Sequence, residues 1–476
     1  MGLSTSTGRR SYGFPNQNSV PHIALLGSGG GERALVAMLG SIQQLVKEGL
    51  FDTLLYIGGI SGSTWAMASL YSGEDFQTGV DQIIATMQGP GVPLDKIVAW
   101  LDDRTEETTF SLTDIWAVLI STQIMKQLDL RQLSGDANRS ATNPYPIYST
   151  VERECTSDKP ENGTITCTSL VRAGQLVEEK PEMDVVKLQG ICGSALADWQ
   201  TTIVRLFRLR GAEFGDIPTQ PHLIYVAIDH ILNLIKLTTT DPELLAILEK
   251  LQKKLKEIIE SGHMNLLKTS SLEEGKTVCQ ENITLLIEEL ELCCENLQSV
   301  NHSKFQLYAN IPSPLCSKEI FYLIDAGLWM NVPYPPFLGA KRDIDLIVAP
   351  DFCAGEVFKT LTLAKKYALD KGKPFPEIDD QIKEKDWPKD CYVFEGKEKE
   401  PTIVYMPLFN RANCRDAKEL QAKIKKFCTF QLPYNNDMMN ELLDIARDNI
   451  KRNKTILVQE MEKAIQRRSR SCRSSK

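Results

Sequence analysis

A chain of 476 residues, 42% hydrophobic and 24% charged, carries enough apolar side chain to bury a substantial core. Its formal charge of −8 excludes a bulk nucleic-acid binder, although a local basic patch remains open. The 12 cysteines are scattered without a CxxC pair, so a zinc knuckle is excluded. There is no early apolar leader and no run of bilayer length, and reduced thiols in a cytoplasmic chain are the expectation.

Residues 1–20 read as a disordered polar arm. Gly2 followed by Ser6 also fits the loose pattern for N-myristoylation. HIALLGSGGG, 22–31, reads as a short strand running into glycines. Leu35, Met38, Leu39, Ile42 and Leu45 then recur at three- and four-residue spacing, which predicts a helix. A second strand is expected over 53–57 and a helix over 62–71. This strand–turn–helix repetition places the chain in the α/β class, with a central sheet covered by helices.

DIWAVLISTQIMKQL predicts a helix near 114–128, whereas 135–185 is irregular. The stretch 221–300 is mostly helical, with charged spacers such as EKLQKKLKEIIE. Residues 135–300 therefore read as a cap or insertion beside the sheet. Strand signals return at 319–325, 342–350, 391–396 and 402–409. A long helix is expected from Asn435 to about Ile465, followed by a loose basic tail over 466–476.

Three stretches could carry chemistry. In LLYIGGISGSTW, 54–65, Ser61 stands between a predicted strand and a predicted helix, where a tight turn can hold a hydroxyl outward. The spelling is G-x-S-G-x, not the usual G-x-S-x-G of a nucleophile elbow, and a plain turn would look the same. Gly27-Ser28-Gly29-Gly30-Gly31 opens a helix, so its backbone N–H groups could bind a phosphate or a tetrahedral oxyanion. It is neither a Walker A loop nor G-x-G-x-x-G. Arg33, next to this loop, could offer a bidentate fork to phosphate or serve as an ordinary helix charge. None of the five histidines has the surroundings of a triad base. Asp325, ending FYLID before Ala326-Gly327, could accept a proton from a serine or simply cap a turn.

Taken together, SGGGERA (28–34), GISGSTW (59–65), SLTDIWA (111–117), NPYPIYS (143–149), DAGLWMNVPYP (325–335) and DLIVAPDF (345–352) resemble the cytosolic phospholipase A2 family, nearest its short gamma-type branch without a C2 domain. The resemblance runs from about residue 20 to 460. It implies a patatin-like catalytic fold, a mixed sheet flanked by helices with a helical cap, as one catalytic domain over 21–465. It implies a Ser–Asp dyad of Ser61 and Asp325, an oxyanion hole from Gly30 and Gly31, and a substrate-phosphate contact at Arg33. The activity implied is calcium-independent phospholipase A2 and lysophospholipase chemistry through an acyl-enzyme, with transacylation where a lysophospholipid replaces water. It implies no cofactor and no metal. The partners implied are glycerophospholipids, lysophospholipids and a peripheral membrane surface, including the endoplasmic reticulum, with no nucleic acid.

Three departures stand out. Glu32 replaces an aromatic residue or leucine of the relatives, which sets a negative charge near the expected phosphate site unless it points away at the helix surface, and Ala326 replaces a serine. An aromatic-rich family segment is missing between 150 and 190. That gap supports an alternative reading, a lipid-binding scaffold with impaired catalysis.

Overall fold

The computed structural model describes residues 20–73, 76–107, 110–133, 143–152, 169–172, 175–179, 182–197, 202, 221–237, 239–240, 242–260, 323–378, 385–429 and 433–474. The expected arm over 1–20, apart from Val20, and the expected helical stretch beyond 260 lie outside them.

The centre is a six-stranded sheet. Its strands in chain order are β1 (Ile23–Gly27), β2 (Tyr56–Gly59), β3 (Tyr145–Tyr148), β8 (Leu346–Asp351), β9 (Tyr392–Phe394) and β10 (Thr402–Pro407). In space they run β3-β2-β1-β8-β10-β9. Every pairing is parallel except β10 with β9, so the sheet is mixed. IALLG, LIVAPD and TIVYMP are buried along their whole length, as expected of strands covered on both faces. Ile23 and Leu25 enter one apolar layer, whereas Ala24 and Leu26 enter the other, which is the period-two alternation of a strand.

The larger layer receives α1 (Glu32–Lys47), α2 (Gly62–Leu70), α3 (Phe76–Met87), α4 (Leu94–Thr105), α5 (Leu112–Leu119) and α6 (Val185–Cys192). It also receives α7 (Pro221–Leu237) and α8 (Pro242–Glu260) from the predicted cap. The opposite face is covered by α9 (Lys359–Asp370) and by Tyr334, Phe337 and Leu338. The chain closes with α10 (Ala417–Lys426), α11 (Asn436–Arg452) and α12 (Lys454–Ser474). Gly40 of α1 lets α11 cross closely, since a Cβ there would stand 2.9 Å from the Leu443 carbonyl oxygen.

Several boundaries differ from expectation. Residues 51–53 form a 3-10 turn, and β2 starts only at Tyr56. The helix expected over 114–128 starts earlier, behind a Ser111–Asp114 capping box, and its end widens into one π turn at Ile120–Ile124. The region read as irregular, 135–185, holds β3, β4 (Thr150–Glu152) and the hairpin β5 (Ser169–Arg172) and β6 (Gln175–Glu179), and α6 begins at its end. β4 pairs antiparallel with β7 (Leu323–Asp325). The terminal helix breaks at Asn453, and residues 466–474, expected as a loose tail, continue α12. The tail is held because Arg467 donates to the Gly396 and Asp345 carbonyls and to Thr402 Oγ1, while Arg468 pairs with Asp343 and Asp345.

Candidate active site

β1 and β2 are parallel neighbours with Gly27 opposite Gly59, so their carboxyl ends finish side by side. On the far side of β1 the chain order jumps to β8. Crevices outside such ends are where open α/β sheets receive ligands. Both turns leaving this edge hold candidate residues.

The first turn carries Ser61, which caps α2 with φ 52° and ψ −126°, a conformation that costs a non-glycine residue on the order of 1–3 kcal/mol. The strain is held from outside. Thr64 donates its N–H and its hydroxyl to the Ser61 carbonyl. Gly62 cannot carry a side chain, because a Cβ there would lie 1.8 Å from the Gly31 carbonyl oxygen. The Ser63 hydroxyl donates to the Ser28 carbonyl at 2.6 Å. Serine elbow and glycine loop are therefore locked together.

The second turn is Ser28–Gly31. Gly30 has φ 152° and Gly31 has φ 59°, which leaves their N–H groups unscreened by side chains at the start of α1. Ser28 Oγ accepts the Phe352 N–H at 2.6 Å, tying the loop to the end of β8.

Asp325 ends β7 and is wholly buried. Its carboxylate accepts the Gly327 N–H at 2.8 Å and the Ala195 N–H at 3.4 Å, and the Ser61 side chain lies near enough to lower its pKa. Its own N–H donates to Ser194 Oγ at 2.9 Å. Burial pushes the carboxyl up to about 6, against these hydrogen bonds, which pull it down. Ser61 and Asp325 thus meet although 264 positions separate Ser61 from Asp325 in the chain. His22 binds the Arg342 and Asp343 carbonyls and His230 binds Asp102, so neither of these histidines stands at Ser61.

Arg33 adjoins the loop, but its guanidinium faces inward and is 1% exposed. Nε donates to the Phe352 carbonyl at 2.7 Å, Nη1 to the Phe427 carbonyl, and Nη2 to Thr429 Oγ1 at 3.2 Å. Burial lowers its pKa. In this conformation the fork packs against Gly30, ties α1 to the end of β8 and to the segment after α10, and is not offered to a phosphate in solvent. Glu32 is likewise buried, accepting the Tyr434 N–H on both carboxylate oxygens at 3.0 Å. Glu32 is therefore not at the helix surface, and its charge points into the α10–α11 connection.

Two contributors went unassigned in the sequence. Asn331 lies inside DAGLWMNVPYP and touches Gly29, but nothing in the sequence alone marks an asparagine as a loop contact. The Ser194-Ala195 turn follows α6, and it comes to Asp325 because the Trp65 and Trp116 indoles donate to the Gln189 and Gly193 carbonyls. Among the described residues, no group of three or more His, Cys, Asp or Glu side chains could hold a metal. No described helix is long and apolar enough to cross a membrane.

The fold defines the class: a mixed α/β protein with the patatin-like, cytosolic phospholipase A2 catalytic architecture. The family model of the lysophospholipase catalytic domain matches residues 23–167. The chain is 27% identical to cytosolic phospholipase A2 gamma of Mus musculus, over 94% of this chain and 87% of the relative. It is 26% identical to the Homo sapiens gamma protein, over 93% and 90%. To the Mus musculus zeta protein it is 25% identical, over 95% of this chain and 58% of the relative. Among solved structures it resembles human GIVD cytosolic phospholipase A2 with a TM-score of 0.61 at 18% identity, over 95% of this chain and 61% of that one. The chain is thus similar over most of its length to cytosolic phospholipase A2 proteins, and identities of 25–27% fall alike on gamma- and zeta-type relatives.

Proposed function

We propose that this chain is a lipid acyl hydrolase of gamma type, acting on fatty-acyl esters of glycerophospholipids and lysophospholipids through Ser61 and Asp325. The observation that carries this reading is a serine in a strained elbow beside a wholly buried carboxylate, whose pKa burial raises to about 6. A carboxylate so raised is a better proton acceptor than an exposed one, yet it is still ionised at neutral pH. As the Ser61 oxygen bonds to the acyl carbon, the hydroxyl proton passes to Asp325. The carbonyl π pair moves onto oxygen, where the N–H groups of Gly30 and Gly31 receive it. Collapse expels the glycerol oxygen, which takes the proton from Asp325 and leaves an acyl-Ser61 ester. Water, deprotonated by Asp325, then releases the fatty acid. A lysophospholipid hydroxyl in place of water gives transacylation.

Resemblance to the C2-lacking branch supports turnover without calcium, at the surface of internal membranes such as the endoplasmic reticulum, with acylation at Gly2 as an added anchor. Arg33 enters the reading as the brace of the glycine loop; a substrate phosphate would reach it only after its carbonyl bonds open.

The scaffold reading is retained on one observation. β4, which pairs with the strand carrying Asp325, ends at Glu152, inside the 150–190 stretch where the resemblance implies a missing family segment. A fluorophosphonate probe separates the two readings. Labelling of wild type but not Ser61→Ala, with lysophospholipid turnover unchanged by chelator, supports the enzyme. A folded wild type that never labels supports the scaffold, and turnover abolished by chelator removes the calcium-independent part.

A further inference from the structure

The glycine loop is gripped from one side by a single residue. The Gly29 N–H donates to the Asn331 carbonyl at 3.0 Å, and Asn331 Nδ2 donates back to the Gly29 carbonyl at 3.2 Å. Asn331 therefore holds both backbone poles of Gly29. Its amide also donates to Cys353 Sγ, just beyond the end of β8. Asn331 Oδ1 would lie 2.3 Å from a Cβ on Gly29 and 2.9 Å from one on Gly327. The side chain thus fills the space between the glycine loop and the turn that hydrogen-bonds Asp325. The orientation of the amide follows from chemistry, since the reversed amide would set two carbonyl oxygens against each other.

A trans peptide plane gives this grip its consequence. In the Gly29–Gly30 peptide, the Gly29 C=O and the Gly30 N–H point in opposite directions across a rigid plane. Fixing the carbonyl oxygen on one side fixes the N–H on the other. Glycines on both sides of that plane leave it free to rotate otherwise, and the one other hydrogen bond to its carbonyl among the described residues, from Ser28 Oγ, is longer at 3.4 Å.

The geometry points to Asn331 as a positioning residue that aims the Gly30 N–H at the developing oxyanion. The inference rests on the reading of Ser61 as nucleophile and Gly30 as oxyanion donor. Asn331 touches neither substrate nor proton. It acts through the orientation of one peptide group, so its effect belongs to the tetrahedral state and not to the bound ester.

The test uses the full chain with Asn331→Ala and Asn331→Asp. Asn331→Asp keeps the side-chain size but presents an oxygen where the donor stood, so it remains informative if the alanine variant folds poorly. Three quantities are measured: kcat and KM on a nitrophenyl acyl ester, Ki for an acyl trifluoromethyl ketone, and Ki for a matching long-chain amide. The ketone forms a hemiketal with Ser61, its carbonyl oxygen becoming an oxyanion as the Ser61 proton leaves to Asp325. The amide forms no adduct. Loss of one oxyanion donor costs about 10²–10³-fold in kcat. The expected result is a fall of that size in kcat with KM nearly unchanged, a parallel rise in ketone Ki, and an unchanged amide Ki. Folded variants with wild-type kcat and ketone Ki overturn the inference, as does equal weakening of ketone and amide. Ser61→Ala runs beside them. If it is inactive while the Asn331 variants are not, only the positioning role falls. If Ser61→Ala keeps full turnover, the nucleophile reading falls and takes this inference with it.

Discussion

At the residue scale, Asp325 joins catalysis to stability through one titration. Its pKa is raised from 3.8 to about 6, mainly by burial. As a general base it must be ionised, so kcat/KM for a phosphate-free ester should climb through pH 6 and level off above 7. The stability effect has the opposite sign. Between about pH 4 and 6 the folded chain keeps a proton that the unfolded chain has lost, so stability falls as pH rises across that window. Raising the carboxyl from 3.8 to about 6 costs the fold roughly 3 kcal/mol, reached in full above pH 6. Asp325→Asn should abolish turnover yet unfold later than wild type at pH 7.5, with the gain disappearing near pH 4. Urea melts at the two pH values check this, and an equal gain at both would show that the carboxylate is not strained by burial.

Arg33 gives the second residue-scale prediction. Removing a side chain that satisfies two buried carbonyls, those of Phe352 and Phe427, leaves both unpaired. Each unsatisfied group costs on the order of 1–3 kcal/mol. Arg33→Lys should therefore lower stability by several kcal/mol, because one ammonium cannot replace a three-way fork. As a brace, Arg33 should cost activity on phospholipid and nitrophenyl ester by the same factor. A loss confined to phospholipid would restore the phosphate contact that the sequence suggested. The residue types here were legible and their directions were not. Arginine after a glycine loop is as readable as an anion fork as it is as a strut. Only the end of β8 and the segment after α10, both remote in sequence, supply the carbonyls that choose the strut.

At the element scale, the site exists because two β–α turns share an edge. GISGS and SGGGE were readable as turns because glycine runs interrupt apolar strands. The register of Gly27 against Gly59 was not, since strand neighbours are chosen by the whole sheet. The same holds for Asp325: a three-residue strand paired with β4, remote in sequence, leaves no periodic signal. Gly62 tests the lock between the turns. Its Cα hydrogen faces the Gly31 carbonyl at a distance no methyl group can occupy. Gly62→Ala should push elbow and loop apart, lowering kcat by at least about tenfold and stability by about 2 kcal/mol, although alanine is the better helix former. A Gly62→Ala variant with wild-type kcat would mean that Ser61 and the glycine loop work independently.

At the scale of the whole molecule, the clearest departure from the sequence reading is the carboxyl-terminal segment. RRSRSCRSSK looks loose because arginine and serine without apolar spacing give a helix no buried face. α12 is held there by charge and backbone bonding instead. Arg467 crosses the amino-terminal edge of the sheet, donating to the Asp345 carbonyl beside β8, to Thr402 at the start of β10, and to the Gly396 carbonyl. Arg468 approaches Asp343 and Asp345, and its charge opposes the burial that raises the Asp345 carboxyl. Leu457, Met461 and Ala464 carry the apolar seam up to this point, so the arginines extend packing that has already begun. Deleting 466–476 should therefore lower stability by about 2–4 kcal/mol, from the lost carbonyl bonds and an exposed strand edge. Arg467→Ala alone should account for about half. Because the site lies at the opposite edge of the same strands, kcat of the folded truncated chain should stay within a factor of about two of wild type. Urea melts and ester turnover on the same preparations check both halves. An unchanged unfolding midpoint would return the segment to the loose tail that its composition suggests, whereas a large loss of kcat in folded protein would mean that the two edges of the sheet are coupled through β8 and β10.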